Sequence, residues 1–491
     1  MSSAPSGELP SRPLRLAVIG AGMAGILAAV RLSEAGLTDF TVYEKADGLG
    51  GTWRDNTYPG LSCDVPSHLY SYSFALNPEW SHMYSPGPEI LAYLQDVARR
   101  HDVVRFMRFG DGVERCRFEG GRWHLTTAAG VHDEVDVVIA ATGVLHHPRL
   151  PDIDGLDSFA GSVFHSARWD HAATIDGARL GIIGTGSTAV QIVSAVVERV
   201  AKLTLFQRTA QWIMPASNPA FTADQQESFR QDPMAVTALH AQLSDLFDGF
   251  SGAVVDAESP QMKWIEDTCL ANLEKSVTDP VLRERLRPTY RAACKRLIVS
   301  PDFYAAMQQP NAELVTEAVA RIEPAGVRTA DDALHELDVL VLATGFKVDA
   351  FVRPIEVTGR NGTSLDEAWA KRPEAYLAIS VPDFPNFFML NGPNGPVGNF
   401  SLIQVAELQV GYILQLVEHI RTGACRHVSA THDALAAFEV ARVEAARRTV
   451  WATGCRSWYL DDRGVPAAWP WPFTRFREEM AAPRLDAFDM V

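Results

Sequence analysis

The chain has 491 residues, 47% hydrophobic and 21% charged, a composition that builds two or three soluble domains rather than one. A net charge of −16 without any basic stripe speaks against a nucleic-acid partner, which needs clustered Lys and Arg. No run of about 18 apolar residues occurs, and Met1 to Pro13 lacks the apolar core of a signal peptide, so neither membrane spanning nor export is expected.

The first dozen residues, rich in Ser and Pro, are expected to form a loose tail. The cysteines Cys63, Cys116, Cys269, Cys294, Cys425 and Cys455 include no C-x-x-C pair, and reduced thiols in a cytoplasmic protein are expected.

Leu14 to Ile19 is an apolar run of strand character that leads into Gly20-Ala-Gly22-Met-Ala-Gly25 and an Ala- and Leu-rich helix to about Glu34. In such a unit the first glycine permits the tight turn, the second lets a pyrophosphate reach the backbone, and the third lets helix and strand pack closely. The next strand, Phe40 to Tyr43, ends at Glu44, whose carboxylate suits a free ribose 2′-hydroxyl. Gly50-Gly51-Thr52-Trp53, Tyr58-Pro59-Gly60, Asp64 and Tyr70 follow, supplying close backbone approach, flat aromatic faces and a fixed turn. Alternating residues between Arg105 and Val135 predict a hairpin meander in which Val113 is placed to touch an adenine. Asp136 to Gly143 is then an apolar strand ending in Ala-Thr-Gly.

A second unit starts at Arg179 to Ile183 and runs through Gly184-Thr185-Gly186-Ser187-Thr188-Ala189 into an apolar helix and a strand, Leu203 to Phe206, followed by Arg208 and Thr209. Arg208 lies 22 residues past Gly186, as Glu44 lies 22 residues past Gly22. A guanidinium at this place grips a 2′-phosphate with two charge-assisted bonds, whereas a carboxylate favours a free hydroxyl. The first loop therefore suits FAD, and the second suits NADPH rather than NADH.

Residues 222–295 are rich in Ala, Gln, Glu and Leu at helical spacing, with Asp279-Pro280 as an N-cap and first-turn pair, and read as a helical insertion shaping a substrate entrance. Asp338 to Gly345 repeats the apolar strand that ends in Ala-Thr-Gly. Phe387 to Pro393 leads through a loop at 394–399 to a helix from about Ser401. The predicted fold is α/β, with two Rossmann-like dinucleotide-binding domains (14–145 with 375–491 for FAD, 152–215 with 296–350 for NADP) and the helical insertion at 222–295.

Two longer patterns carry a family likeness. Phe159 to Asp170 reads F-x-G-x-x-x-H-x-x-x-W-D, and Gly51 to Asp64 reads G-x-W-x-x-x-x-Y-P-G-x-x-x-D. Together with the two glycine loops they resemble type I Baeyer–Villiger monooxygenases, flavoproteins that use NADPH and O2 to insert one oxygen atom beside a ketone carbonyl. The resemblance covers nearly the whole chain. It implies that a C4a-peroxide of the reduced flavin attacks a small-molecule ketone, giving an ester or lactone. It also implies FAD contacts by Thr52, Trp53, Asp64, Tyr70 and Leu402, with Ile403 near the flavin ring, and NADP contacts by Lys295 and Trp458. Arg296, oriented by Asp64, is the implied catalytic cation, and an arginine suits an anionic oxygen species because it does not surrender its proton.

Leu297 departs from the family, which often has proline after the Lys-Arg pair. His165 is expected to tie the linker between domains, with Trp169 as its packed anchor, and not to transfer protons. Three alternatives stand beside this reading. One is a flavin monooxygenase oxidising nitrogen or sulfur, against which Trp169 counts. The others are an NADPH-dependent flavin reductase, which the lack of C-x-x-C disfavours, and a non-enzymatic flavin scaffold.

Overall fold

The structure, a computed structural model, describes residues 13–398 and 400–491. The expected loose tail up to residue 12, and Asn399 in the expected loop, lie outside the described residues. Two five-stranded parallel sheets organise the chain. In the first, Leu16–Ile19 is central, flanked by Phe40–Tyr43 and then Met107–Arg108 on one side, and by Val137–Ala140 and then Phe387–Met389 on the other. In the second, Arg179–Ile183 is central, flanked by Lys202–Phe206 and then Ala312–Val315, and by Val339–Leu342 and then Ser162–His165.

The strands Leu16–Ile19, Val137–Ala140 and Val339–Leu342 are buried at every position. That burial explains their unbroken apolar sequences, since helices or loops cover both faces of a parallel sheet. Each central strand runs into its glycine loop between neighbours reached in opposite directions, so a crevice opens at the carboxyl ends of both sheets.

The repeat extends further than the Ala-Thr-Gly strands. Val113–Glu119, Arg122–Thr127 and His132–Val135 form an antiparallel meander before the closing strand of the first sheet. Val319–Glu323, Gly326–Thr329 and Leu334–Glu336 do the same before Val339–Leu342, a second meander that the sequence pattern did not bring out.

Residues 222–295 contain four helices, Ala223–Gln231, Pro233–Val255, Pro260–Ser276 and Pro280–Arg285. Thr222, Asp232, Ser259 and Asp279 each cap one of them through a side-chain oxygen, satisfying backbone N–H groups that the first turn leaves free. Met262, Ile265, Cys269 and Leu273 make the buried stripe of Pro260–Ser276, three or four residues apart as one helix face requires. Farther on, the helix Leu402–Arg421 packs against Met23–Glu34. No helix among the described residues is long and apolar enough to cross a membrane.

The expectation of reduced cysteines is corrected at one pair. Cys294 and Cys455 form a disulfide across a sequence separation of 161, with Cα atoms 6.3 Å apart, whereas Cys63, Cys116, Cys269 and Cys425 are free and buried. The bond joins the segment that carries Lys295 and Arg296 to the tail that carries Trp458. A cross-link closing so long a loop restricts the unfolded chain strongly, and native disulfides typically contribute about 2–4 kcal/mol. Cys455→Ser is therefore expected to lower the thermal midpoint by several degrees, with a reductant reproducing the shift in the wild type and adding nothing in the variant.

Candidate active site

The two nucleotide loops have the same construction. Gly20 and Gly184 take φ of +102° and +117°, a region that suits glycine. A Cβ on Gly20 would lie 2.7 Å from the Ala141 carbonyl oxygen, and one on Gly184 would lie 2.3 Å from that of Ala343. The recurrence of Ala-Thr-Gly thus has a physical cause, because each closing strand ends against the turn of its own glycine loop. Gly22 and Gly186 then cap the helices Met23–Glu34 and Ser187–Val196, whose first N–H groups and dipoles face the crevice.

In the first loop, Glu44 receives the Ala21 N–H at 2.8 Å and the Ala46 N–H at 3.0 Å. This places the carboxylate at the end of Phe40–Tyr43 directly beside the glycine turn, with acceptor capacity left for ribose hydroxyls. Gly51 packs on Gly22, and the short helix Thr52–Asp55 follows. The Trp53 indole is buried and donates from Nε1 to the Tyr70 hydroxyl at 3.2 Å. Val113 is buried at the head of its meander, two residues after Asp111, whose N–H donates to the Glu44 carbonyl. Leu402 is half-buried at the start of its helix, next to Ser401, which hydrogen-bonds the Leu69 carbonyl. Glu44, Gly51 and Val113 are thereby tied to the first glycine loop, Trp53 to Tyr70, and the start of the helix that carries Leu402 to Leu69.

The segment Tyr58-Pro59-Gly60 does more than turn the chain. The Tyr58 hydroxyl donates to Gln191 Oε1 at 2.8 Å, and Gln191 Nε2 donates to the Ser62 carbonyl at 3.0 Å. Burial pushes the Tyr58 hydroxyl up to about 12, so it remains a donor. Gly60 is needed because a Cβ there would come 2.5 Å from the Gln191 carbonyl oxygen. The first sheet's loop is thereby held against the helix of the second. Gln191 was not legible as a site residue, since no local pattern marks it.

In the second loop, Thr185 Oγ1 donates to the Thr209 carbonyl at 2.9 Å and accepts from Gln211 Nε2 at 3.1 Å. Gln211 Oε1 in turn accepts from the Tyr290 hydroxyl at 3.0 Å, and the Lys295 ammonium sits 4.8 Å from the centre of the Tyr290 ring. Ser187 and Thr188 occupy the first turn of the helix, while Arg208 is exposed just past Lys202–Phe206. Burial first, and repulsion from Arg208 second, hold the Lys295 amine below the usual lysine range. Among the described residues neither cation has a carboxylate partner. Two cations converging without a counter-charge fit a phosphate, and a Cβ at Gly186 would meet nothing within 4 Å, which leaves the helix N-terminus open to a pyrophosphate.

Arg296 bridges the two halves. Its Nε donates to Asp64 Oδ2 at 2.9 Å, its Nη2 donates to Asp64 Oδ1 at 2.6 Å, and its Nη1 donates to the Gly398 carbonyl. Burial alone would lower the guanidinium's affinity for its proton, but the Asp64 carboxylate and then Tyr459 outweigh it and raise it above the ordinary arginine value. The cation is permanent and its plane is fixed by a two-point fork.

His165 lies outside this cluster. Its Nδ1 accepts from the Ala167 N–H at 3.1 Å, so its Nε2 carries the hydrogen and donates to the Gly345 carbonyl at 3.0 Å. Desolvation lowers its affinity for a second proton. Trp169 packs edge-on against Phe164 at 5.0 Å between ring centres. His171, one residue beyond the fingerprint, meets Thr57 Oγ1 at 2.8 Å and ties this stretch to the first sheet's loop. Trp458 is 39% exposed and packs at a tilt against Tyr459, with ring centres 4.0 Å apart.

Comparison with known proteins agrees with this construction. The family described as FMO-like, flavin-binding monooxygenase-like, matches residues 14–246. An uncharacterized monooxygenase of Mycobacterium tuberculosis is 46% identical, covering 97% of this chain and 96% of its own length. A Baeyer–Villiger monooxygenase of Streptomyces coelicolor is 40% identical, covering 95% and 90%. Among solved structures, cyclohexanone monooxygenase from Rhodococcus sp. Phi1 bound to NADP+ superposes with a TM-score of 0.86 at 29% identity, over 98% of this chain and 99% of that one. The chain belongs to the flavin-binding monooxygenase-like family and, within it, to the Baeyer–Villiger monooxygenases.

Proposed function

We propose that the chain is an NADPH- and O2-dependent Baeyer–Villiger monooxygenase that converts a ketone to an ester or lactone. The observation that carries the reading is Arg296, a permanent cation forked on Asp64, 232 positions away in the chain. Bound FAD, once reduced by NADPH, would supply the activation of O2, one atom of which enters the product while the other leaves as water.

The chain supplies binding, orientation and charge. Gly20, Gly22 and Gly25 seat the FAD pyrophosphate, and Glu44 takes the ribose hydroxyls. Gly51, Thr52, Trp53, Asp64, Tyr70, Val113 and Leu402 line the rest of its site. Gly184, Thr185, Gly186, Ser187, Thr188 and Thr209 hold the NADP pyrophosphate region, Arg208 and Lys295 its 2′-phosphate, and Trp458 covers it. Arg296 stabilises negative charge as it develops on oxygen and then on the ketone adduct, and Asp64 fixes its plane. His165 and Trp169 brace the linker and move no proton.

We propose the division into 14–145 with 375–491 for FAD, 152–215 with 296–350 for NADP, and 222–295 as the helical insertion; the two separate five-stranded sheets support it. The test is a panel of linear, cyclic, aromatic and steroidal ketones, assayed for NADPH-dependent gain of one oxygen atom. Gain with at least one ketone is the expected result. NADPH oxidation without any oxygenated product across the panel would overturn the reading.

A further inference from the structure

Tyr459 has no role in the mechanism above, yet it stands at Gly398, the residue whose carbonyl accepts from Arg296. It is 3% exposed, and its hydroxyl and the Arg296 guanidinium meet on either side of one residue, Gly398. The same hydroxyl is pressed into the one gap that Gly398 leaves. A Cβ at Gly398 would lie 2.0 Å from that oxygen, and φ at Gly398 is +99°. Gly398 also presents its carbonyl to Arg296, so the two groups close on the guanidinium together.

The tail is built to hold the ring there. Cys455 is disulfide-bonded to Cys294, two residues before Arg296. The Ala467 N–H donates to the Tyr459 carbonyl at 2.7 Å, the Trp469 N–H donates to the Gly395 carbonyl at 3.0 Å, and the fully buried Arg442 donates to the Pro466 carbonyl. The ring packs beside Trp451 at 5.2 Å between centres. Desolvation raises the phenol above its ordinary value against the pull of Arg296, so the hydroxyl is neutral and takes no charge from the cation.

We propose that Tyr459 is a positioning residue for Arg296, its hydroxyl accepting an N–H of the guanidinium and, with Asp64 and Gly398, confining the cation to one orientation. A guanidinium has five N–H groups. Asp64 and Gly398 take three of them; with Tyr459 accepting a fourth, one is left for the reacting oxygen. The inference rests on the reading of Arg296 given above.

The test is Tyr459→Phe in the FAD-loaded protein, which keeps the ring and its packing. The share of oxidised NADPH that ends in oxygenated ketone is expected to fall about threefold or more, the remainder appearing as hydrogen peroxide, with KM for NADPH within about twofold of wild type. Modification of Arg296 by an arginine-directed dicarbonyl reagent, followed by peptide mass spectrometry with no turnover, is expected to quicken by a similar factor. Unchanged coupling, or unchanged Arg296 labelling, overturns the proposal. Arg296→Ala, run alongside, separates the two claims: if it abolishes product while Tyr459→Phe matches wild type, only the inference about Tyr459 falls.

Discussion

Arg296→Ala is expected to cut ester or lactone formation by at least about 10²-fold, the usual cost of removing one group aimed at developing negative charge. FAD content and the rate of flavin reduction by NADPH should stay near wild type, because the dinucleotide contacts come from other residues. NADPH consumption should then continue with hydrogen peroxide as its product. Arg296→Lys keeps a charge but loses the two-point fork on Asp64, and is expected to recover only a small part of the lost product yield. Product analysis by gas chromatography, with peroxide measured in parallel, checks both variants. A wild-type ester yield from Arg296→Ala would remove this residue from the catalytic centre.

The second large effect concerns cofactor choice. Arg208 and Lys295 are close enough to repel each other, and neither has a carboxylate partner among the described residues. That arrangement is unfavourable unless a phosphate joins it. Arg208→Ala is expected to raise KM for NADPH by about 10- to 100-fold, the equivalent of the roughly 1.5–3 kcal/mol of hydrogen bonding to a charged group. KM for NADH should change little, because NADH lacks the 2′-phosphate. Steady-state kinetics with both nucleotides decides the matter, and an equal loss with NADH would mean that Arg208 acts on something other than the phosphate.

What could be read in the sequence depended on how local the cause was. The glycine loops, and the places of Glu44 and Arg208 just past the strands that follow them, were legible because the turn, the helix N-terminus and the next strand end lie within one strand-helix-strand unit, at offsets fixed by the length of that unit. The strand ends at Ala141 and Ala343 were visible as a repeat, but their reason, contact with Gly20 and Gly184, needed three dimensions. The Asp64–Arg296 fork came from the family resemblance and not from spacing, since the two residues are 232 positions apart.

Features that depend on distant chain segments meeting escaped the sequence. Gly60 read as a turn glycine, whereas it is also the point where the helix Ser187–Val196 touches the first sheet's loop. The cysteines read as isolated thiols because no short spacing marks the pair, although the fold brings Cys294 to Cys455. Tyr459 was visible only as the neighbour of Trp458, and nothing in its own surroundings pointed to Arg296. The second meander was missed because its strands, Leu334–Glu336 among them, are too short to show clear alternation.

The most direct measurement of the central claim is turnover under ¹⁸O2 with a ketone from the panel that reacts, followed by mass spectrometry of the product. The expected product is an ester or lactone carrying one ¹⁸O atom, formed only when NADPH is present and lost in Arg296→Ala. An unlabelled product, or NADPH oxidation that proceeds without any incorporation into any ketone tested, would contradict it.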